Sequence, residues 1–593
     1  MPEPTGTRLW SGYMVITLRQ LYQCDKRRPR LWRSQQLHKH QVTFTMHITY
    51  LSKPAGLFRN LGIPNLPTKL EDLDSNTNLF WIALIAGVTS HVGYFIHGEH
   101  HRGCYKIVKM HIALEIIIAG LLIRKNGHHL TISAIQAVIV TAAYLLGLFG
   151  AMGLYRGFFH PLRQIPGPFL ARFSNLYHSS LLGNSDNYRV VYNLHKEHGP
   201  IVRTGPSNLS LNVPEAVQLL YGPESLCDKT AWYEVSLPLQ NLHTVRDKKA
   251  HENRRKVWAH AFSPKALTEY DRRIAEHSEL LCRYVADLKG KPFDATQLFK
   301  YYAWDVMGEL GFGKGFEMLE NEKNRYVPDL LEEGMAPIAQ LQVVPWLTIL
   351  LHKIPFAAKG PKRFATFFTE QAMRRVKEPP TKPDILGYLV DRYNDSPKAD
   401  PDFQWLRGDT RLFVVGGKQL AKLRAEVEPL LVGQDTLDPK DVGEAKHLNG
   451  IIHEVLRLHP PIPSGFPRLT PKEGIVINGT YITGGTTVTV PLWAMGRSEQ
   501  VYESPLEFIP ERWYSRPEMI KHKHTFAAFG LGPYGCIGRA LALMEMRNVI
   551  CHIVSRFESI EMAPGEDGSS LMNMSKDHFT MGIQGFQMRF KAK

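Results

Sequence analysis

The chain has 593 residues, 44% of them hydrophobic, enough for one large domain plus accessory segments. Its 71 Lys and Arg against 56 Asp and Glu give a formal net charge of +15. That charge suits an anionic membrane surface or an acidic redox partner. No Cys/His spacing reads as a zinc finger, so nucleic acid is not an expected partner. The six scattered cysteines (Cys24, Cys104, Cys227, Cys282, Cys536, Cys551) exclude a disulfide scaffold.

Residues 1–45 are basic and polar, with a Lys26-Arg27-Arg28-x-Arg30-x-x-Arg33 cluster, and lack the apolar run of a secretory signal. They read as a disordered tail, a targeting segment or mistranslated upstream sequence, with Met46 as an alternative start. Three apolar stretches follow: Leu79–Ile96, Ile107–Ile123 and Leu130–Tyr155. The second carries Lys109, His111 and Glu115 and is the weakest; the third is nearly uncharged. A bilayer core takes about 20 predominantly apolar residues of helix. Residues 78–155 are therefore expected to hold two or three transmembrane helices. Buried helices of a soluble protein are the competing reading, and three runs ahead of any globular pattern argue against it. Arg156, Arg163 and the basic domain beyond place the following domain on the cytosolic side.

Residues 156–175 read as a hinge, because Pro161, Pro166, Gly167 and Pro168 stiffen the chain and block a continuing helix. From 176 to 593 the chain reads as one mainly α domain with small β-sheets. Helical periodicity is plain around 212–222, 251–290, 298–311, 418–433 and 444–458. The segment 472–492, rich in Val, Ile and Thr and punctuated by Gly, predicts short strands and tight turns. The Lys/Pro/Asp-rich stretch 376–404 predicts a loop flanking a short helix.

The most informative stretch is Phe529-Gly530-Leu531-Gly532-Pro533-Tyr534-Gly535-Cys536-Ile537-Gly538-Arg539-Ala540, followed by a helical pattern. A glycine-rich turn exposes backbone N–H groups near the sulfur, and a helix starting just beyond adds a favourable dipole for a thiolate. A lone cysteine in a turn is more often a buried structural residue. Here the whole pattern resembles the haem-binding loop of the cytochrome P450 family, F-x-x-G-x-x-x-C-x-G. The resemblance implies that Cys536 ligates iron and is the catalytic thiolate, with Phe529, Gly530 and Gly538 shaping the loop. Tyr534 stands where many members have an arginine that contacts a haem propionate.

Two further motifs fit. Glu454-Val455-Leu456-Arg457, then His459-Pro460-Pro461 and Pro510-Glu511-Arg512-Trp513, resemble the family's ExxR helix and its PERW meander. Glu454 and Arg457 share a helix face. The resemblance implies a buried structural network of Glu454, Arg457 and Arg512, and a propionate contact for Arg468. His251-Glu252-Asn253-Arg254-Arg255-Lys256-Val257-Trp258 precedes AFSP and resembles the family's W-x-x-x-R helix, with His251 and Arg255 in the two propionate-binding places. Its outer face, with Arg254 and Lys256, would meet an acidic electron donor. The hinge, the DVMGELGFG segment (305–313) and the several N-terminal spans resemble ascomycete secondary-metabolism members.

One expected motif is absent. Leu406 to Gly417, with Asp409 and Thr410, begins like the family's oxygen-activating helix, but Lys418 to Glu426 resembles a segment normally about 20–25 residues further on. The acid–threonine pair that relays protons to bound oxygen is missing; Thr410 lies about two turns too early. Losing about six turns of a central helix would strip many core side chains at about 2–5 kcal/mol each, against a total stability of about 5–15 kcal/mol. A skipped exon in the translation and a degenerate product are the two explanations.

The resemblance implies a P450 fold preceded by N-terminal transmembrane helices, haem b as cofactor, and electrons from NADPH through a membrane-bound reductase. It implies insertion of one oxygen atom into a small apolar molecule by hydroxylation or epoxidation, at the endoplasmic reticulum membrane with the haem domain cytosolic. A haem-thiolate isomerase, dehydratase or peroxygenase, and an inactive haem-binding protein, are the rival readings.

Overall fold

The computed structural model describes residues 70–237, 240–354, 359–378, 382–394, 426–427, 439–569 and 574–593. The basic segment 1–45, Met46, and the whole stretch Leu406–Gly417 with Asp409 and Thr410 lie outside the described residues, as do all of 395–404 and most of 418–433.

The N-terminal part of the described chain is three long helices: α1 (Leu70–Ser90), α2 (Cys104–Lys125) and α3 (Leu130–Leu154). A single π-turn extends α1 to Phe95 and another extends α3 to Phe159. Two stretches, Asn76–Phe95 and Leu130–Phe159, are long and apolar enough to cross a membrane. The expected middle span falls short of that measure, because α2 carries Lys106, Lys109 and Glu115. Two of its polar groups are turned onto α3 instead of outward. Thr141 Oγ1 donates to Glu115 at 2.6 Å, and His111 Nε2 meets the Tyr144 hydroxyl at 3.0 Å. All three helices expose large apolar side chains, among them Trp81, Ile85, Ile116, Ile117, Val138 and Phe149.

Helices α1 and α3 run parallel. Gln136 Nε2 donates to Asn76 Oδ1 at 2.7 Å near their starts. Near their ends a Cβ on Gly87 would meet the Tyr144 carbonyl oxygen at 2.1 Å, and one on Gly147 the Leu84 carbonyl oxygen at 2.1 Å. The two glycines let the backbones touch, the arrangement by which helices pack where no water drives them together.

After α3 the expected proline-rich hinge is a chain of short 3-10 turns, Pro161–Gln164 and Phe169–Arg172, which ends the long helix. The remainder is mainly α with small sheets. The 251–290 periodicity resolves into α4 (Lys248–Ala261) and α5 (Pro264–Asp287). The break follows from Ser263, which caps the second helix by accepting from the Ala266 N–H, and from Pro264 at its first position. Then come α6 (Ala295–Phe312), α7 (Pro345–Lys353), α8 (Lys446–Leu458) and α9 (Arg539–Arg556), with further helices between, among them Val327–Leu341 and Lys359–Lys377. Asp305 on α6 is buried and accepts from the Met318 and Leu319 N–H groups, which folds the following loop back onto the helix.

A five-stranded sheet joins distant segments: β1 (Ile201–Gly205), β2 (Asn208–Leu211), β3 (Asp228–Lys229), β4 (Arg468–Leu469) and β5 (Thr487–Thr489), in the order β1-β2-β5-β4-β3. Only the β2–β5 pair is parallel. The Val/Ile/Thr segment 472–492 supplies β5 and a hairpin of 475–477 with 480–482. The register of β3 against β4 sets Lys229 opposite Arg468. The core falls into one helical cluster around Trp258, Tyr270, Leu310 and Phe557, one beneath the sheet, and one between α8 and α9.

Candidate functional site

Cys536 lies in the loop before α9. Its N–H donates to the Phe529 carbonyl at 2.7 Å, and the Gly535 N–H to Gly532 at 3.0 Å, closing a tight double turn. Gly530 and Gly532 hold φ of +65° and +58°, where a side chain is strained. At Gly532 a Cβ would also meet the Gly222 backbone at 2.7 Å. Gly538 gives way to α9 and leaves space beside the sulfur: a Cβ there would lie 3.9 Å from Cys536 Sγ and 3.6 Å from the Phe262 ring. Arg539 stacks over the Phe529 ring at 5.9 Å. Cys536 is open to solvent on one side and walled by protein on the others. That burial pushes its thiol up, against the opposing pull of the Gly538 N–H and the Arg255 charge.

Around the loop the structure gathers positive charge. Arg255, on α4, donates to the Gly535 carbonyl at 2.7 Å. His251, one turn earlier, is buried with its ring 4.7 Å from that of Tyr534. Arg468 is buried among the rings of Tyr221, Tyr233, Phe466 and Tyr534; its Nη1 donates to the Tyr233 hydroxyl at 2.8 Å, and its Nε has no partner among the described residues. The Tyr534 hydroxyl is also buried without a partner among the described residues.

The sequence reading overlooked the fourth cation. Lys229 is 2% exposed, and its ammonium donates to the carbonyls of Leu242, His243 and Val245 at 3.3, 2.7 and 3.0 Å. It lies 4.6 Å over the Tyr534 ring. A lysine in a two-residue strand gives no local signal; only its pairing with Arg468 brings it here. Burial and the Arg468 charge lower Lys229 to about 6. Burial and the charges of Lys229, Arg255 and Arg468 lower His251 to about 3. Among the described residues, none of these four groups forms an ion pair with a carboxylate.

On the other side of the loop, the structure brings Glu454, Arg457 and Arg512 together in full burial. Glu454 accepts from Arg457 Nε and Nη2 at 2.8 and 2.7 Å, from Arg512 Nε at 3.0 Å and from the Ile509 N–H at 2.9 Å. Trp513 Nε1 adds a further bond at 2.9 Å, a role the motif did not disclose. The arginines spend their remaining N–H groups on the carbonyls of Gly496, Pro505, Glu507, Glu503 and Ser504. Burial would raise the Glu454 carboxyl, but the Arg457 bonds and both arginine charges hold it below the usual range. On the outer face of α4, Lys256 is exposed and pairs with Glu252 at 2.8 Å, while Arg254 is half-buried.

A mainly α domain in which a glycine-wrapped cysteine stands between a cationic cluster and a sealed Glu–Arg–Arg network is the architecture of a haem-thiolate protein. The family profile described as Cytochrome P450 matches residues 166–403 and 418–590. The chain is 37% identical over 529 residues to tryprostatin B 6-hydroxylase of Aspergillus fumigatus, covering 84% of this chain and 94% of that protein. It is 37% identical over 526 residues to cytochrome P450 monooxygenase notG' of Aspergillus versicolor, covering 85% and 96%, and 34% identical over 539 residues to cytochrome P450 monooxygenase lcsK of Purpureocillium lilacinum, covering 86% and 96%. The chain belongs to the cytochrome P450 family and is classed with its monooxygenases of fungal secondary metabolism.

Family membership implies haem b, and the residues present fit it. Haem is a flat apolar macrocycle with two carboxylates on one edge. The site offers an accessible thiol, apolar rings at Phe262, Phe466 and Phe529, and four basic side chains, Lys229, His251 and Arg468 buried and Arg255 half-buried, with donors on Arg468 and Tyr534 that have no partner among the described residues.

Proposed function

We propose that this chain is a membrane-anchored haem-thiolate monooxygenase in which Cys536 would ligate the haem iron and Lys229, His251, Arg255 and Arg468 would hold the propionates. The observation that carries the reading is the un-neutralised cationic cluster beside the cysteine loop. Arg255 and Arg468 keep their charge with no carboxylate beside them among the described residues, and a charge held out of water unpaired costs several kcal/mol, so a bound anion is favoured there. Two propionates supply the charge. Phe529, Gly530 and Gly538 shape the loop, and Glu454, Arg457 and Arg512 support it from behind as structure. A metal would hold the thiol deprotonated.

Haem, when bound, supplies the activation of dioxygen. One oxygen atom enters a C–H or C=C bond of a small apolar molecule; the other leaves as water with two protons and two electrons. The electrons come from NADPH through a separate membrane-bound reductase, with Arg254 and Lys256 on the docking face. A relative named as a 6-hydroxylase favours hydroxylation.

Three membrane spans are supported by the packing of the anchor. Parallel α1 and α3 cross in the same direction, so α2 must cross back between them. The lengths and apolar faces of α1 and α3 suit a bilayer, and the inward-turned His111 and Glu115 reduce the cost of the middle crossing. The endoplasmic reticulum membrane, with residues 156–175 as hinge and 176–593 as cytosolic haem domain, completes the reading.

A second reading rests on one observation: the family match leaves residues 404–417 unmatched and resumes at Lys418. A chain that lacks the acid–threonine pair of the distal helix would be an isomerase, dehydratase or peroxygenase, or an inactive haem protein. The test is the reduced carbon-monoxide difference spectrum of the full chain, followed by NADPH consumption with reductase. The red-shifted Soret band of thiolate ligation is expected, and is lost in Cys536→Ser. Haem uptake without NADPH-driven turnover would move the assignment to the second reading, and no haem uptake would overturn both.

A further inference from the structure

The loop between α1 and α2 reaches across to the segment that carries the cationic cluster. His101 Nε2 meets Glu234 Oε2 at 2.5 Å, and Arg102 embraces the same carboxylate through Nε, at 2.7 Å, and Nη2. Glu234 is 3% exposed. From the domain side Arg246 joins them, with Nη1 at 2.8 Å from Glu99 and 3.5 Å from Glu234. Burial would raise the Glu234 carboxyl, but Arg102, His101 and Arg246 hold it at about 2. Nearby, Cys104 Sγ donates to the Trp346 carbonyl of α7 at 3.5 Å.

Each domain-side member of this clasp is one step from the cationic cluster. Arg246 Nε donates to the carbonyl of Lys229 itself at 2.8 Å. The neighbouring Val245 carbonyl accepts from the Lys229 ammonium. Tyr233, next to Glu234, caps Arg468. The clasp therefore fixes both the backbone that cages Lys229 and the phenol that orients Arg468, without touching the cysteine loop.

We propose that Glu234 and Arg246 are positioning residues through which the first loop of the membrane anchor sets the geometry of the Lys229–Arg468 pair, so that docking of the anchor and retention of the cofactor's carboxylates are coupled. This rests on the haem reading above. It also requires the 97–103 loop to lie on the same side of the membrane as the haem domain, as three crossings dictate. Coupling of two sites is reciprocal: anchor docking tightens the cofactor, and the bound cofactor tightens the anchor.

The test uses the full haem-loaded chain in phospholipid nanodiscs, with transfer of haem to an excess of apomyoglobin and the haem reduction potential as readouts. Glu234→Gln is expected to speed haem loss about tenfold and to shift the potential, with Glu234→Asp intermediate. In a Lys229→Met background the same Glu234→Gln change is expected to add less than about twofold, because the clasp acts through Lys229. Arg102→Ala, at the exposed edge of the clasp, is expected to give a smaller change of the same sign and serves if Glu234→Gln does not fold. The proposal is overturned if Glu234→Gln or Arg102→Ala frees the 97–103 loop to protease while haem loss and potential stay at parental values. It is equally overturned if the Glu234→Gln effect is undiminished in Lys229→Met. A parent chain with no Soret band would instead remove the haem reading beneath it.

Discussion

The two sides of the cysteine loop bury charge in opposite ways. Behind it, Glu454 satisfies Arg457 and Arg512, and every nitrogen of the two guanidinium groups donates to Glu454 or to a backbone carbonyl. In front of it, Lys229, His251, Arg255 and Arg468 are drawn together with no acid among the described residues to balance them, and Arg468 Nε and the Tyr534 hydroxyl stay unpartnered. The first cluster is complete without a ligand and reads as scaffold. The second is complete only with an anion and reads as a binding site. Burial of charge is thus uninformative until the partners are counted.

That contrast is open to direct test, and the signs differ between the two sides. Glu454→Gln keeps the size of the side chain but leaves two arginines buried without their counter-ion. We expect a loss of about 3–5 kcal/mol, enough to prevent folding, measured by denaturant titration or by failure to recover haem-loaded protein. Lys229→Met should do the reverse to the haem-free chain. Folding of the haem-free chain at neutral pH strips the proton from Lys229; methionine removes that cost, so stability is expected to rise by about 1–4 kcal/mol, while haem is lost faster. If Lys229→Met destabilised the haem-free chain as Glu454→Gln does, the cluster would be scaffold after all.

The pH dependence sharpens the same point. In the haem-free fold Lys229 is lowered from 10.5 to about 6, facing Arg468, His243, His251 and Tyr534. Between these values the unfolded chain holds a proton that the folded chain does not. The lysine's contribution to stability therefore rises with pH across the window from about 6 to 10.5, as linkage requires. Denaturation midpoints of parent and Lys229→Met should converge as pH rises through that window. Tyr534→Phe gives the smallest effect: little change without haem, because the hydroxyl has no partner, and a loss of about 0.5–1.5 kcal/mol in haem binding if it donates to a carboxylate, read as faster haem transfer.

Much of the fold was legible from local pattern. The helical periodicity at 251–290 was legible, while the break at Ser263 that splits it was not read, although its cap is decided within four residues. The cysteine loop was legible because its glycines and its sulfur are contiguous, and Glu454 and Arg457 because they stand one helical turn apart. What was missed is non-local. Lys229 entered the cluster through strand register, and Tyr233 caps Arg468 across 235 positions. Trp513 closes on Glu454 across 59 positions, and His101 reaches Glu234 across 133.

By itself, then, the sequence determined the short-range chemistry of this protein: an exposed thiol in a glycine turn, an acid and a base on one helix face, and apolar helices of bilayer length. The tertiary structure decided which charges have partners. It left the basic groups of the cysteine site without an acid among the described residues, and it tied the anchor's first loop to the segment that cages one of them. The physical reason is that neutralising a buried charge depends on strand register and on which loops meet, and neither leaves a periodicity in the chain.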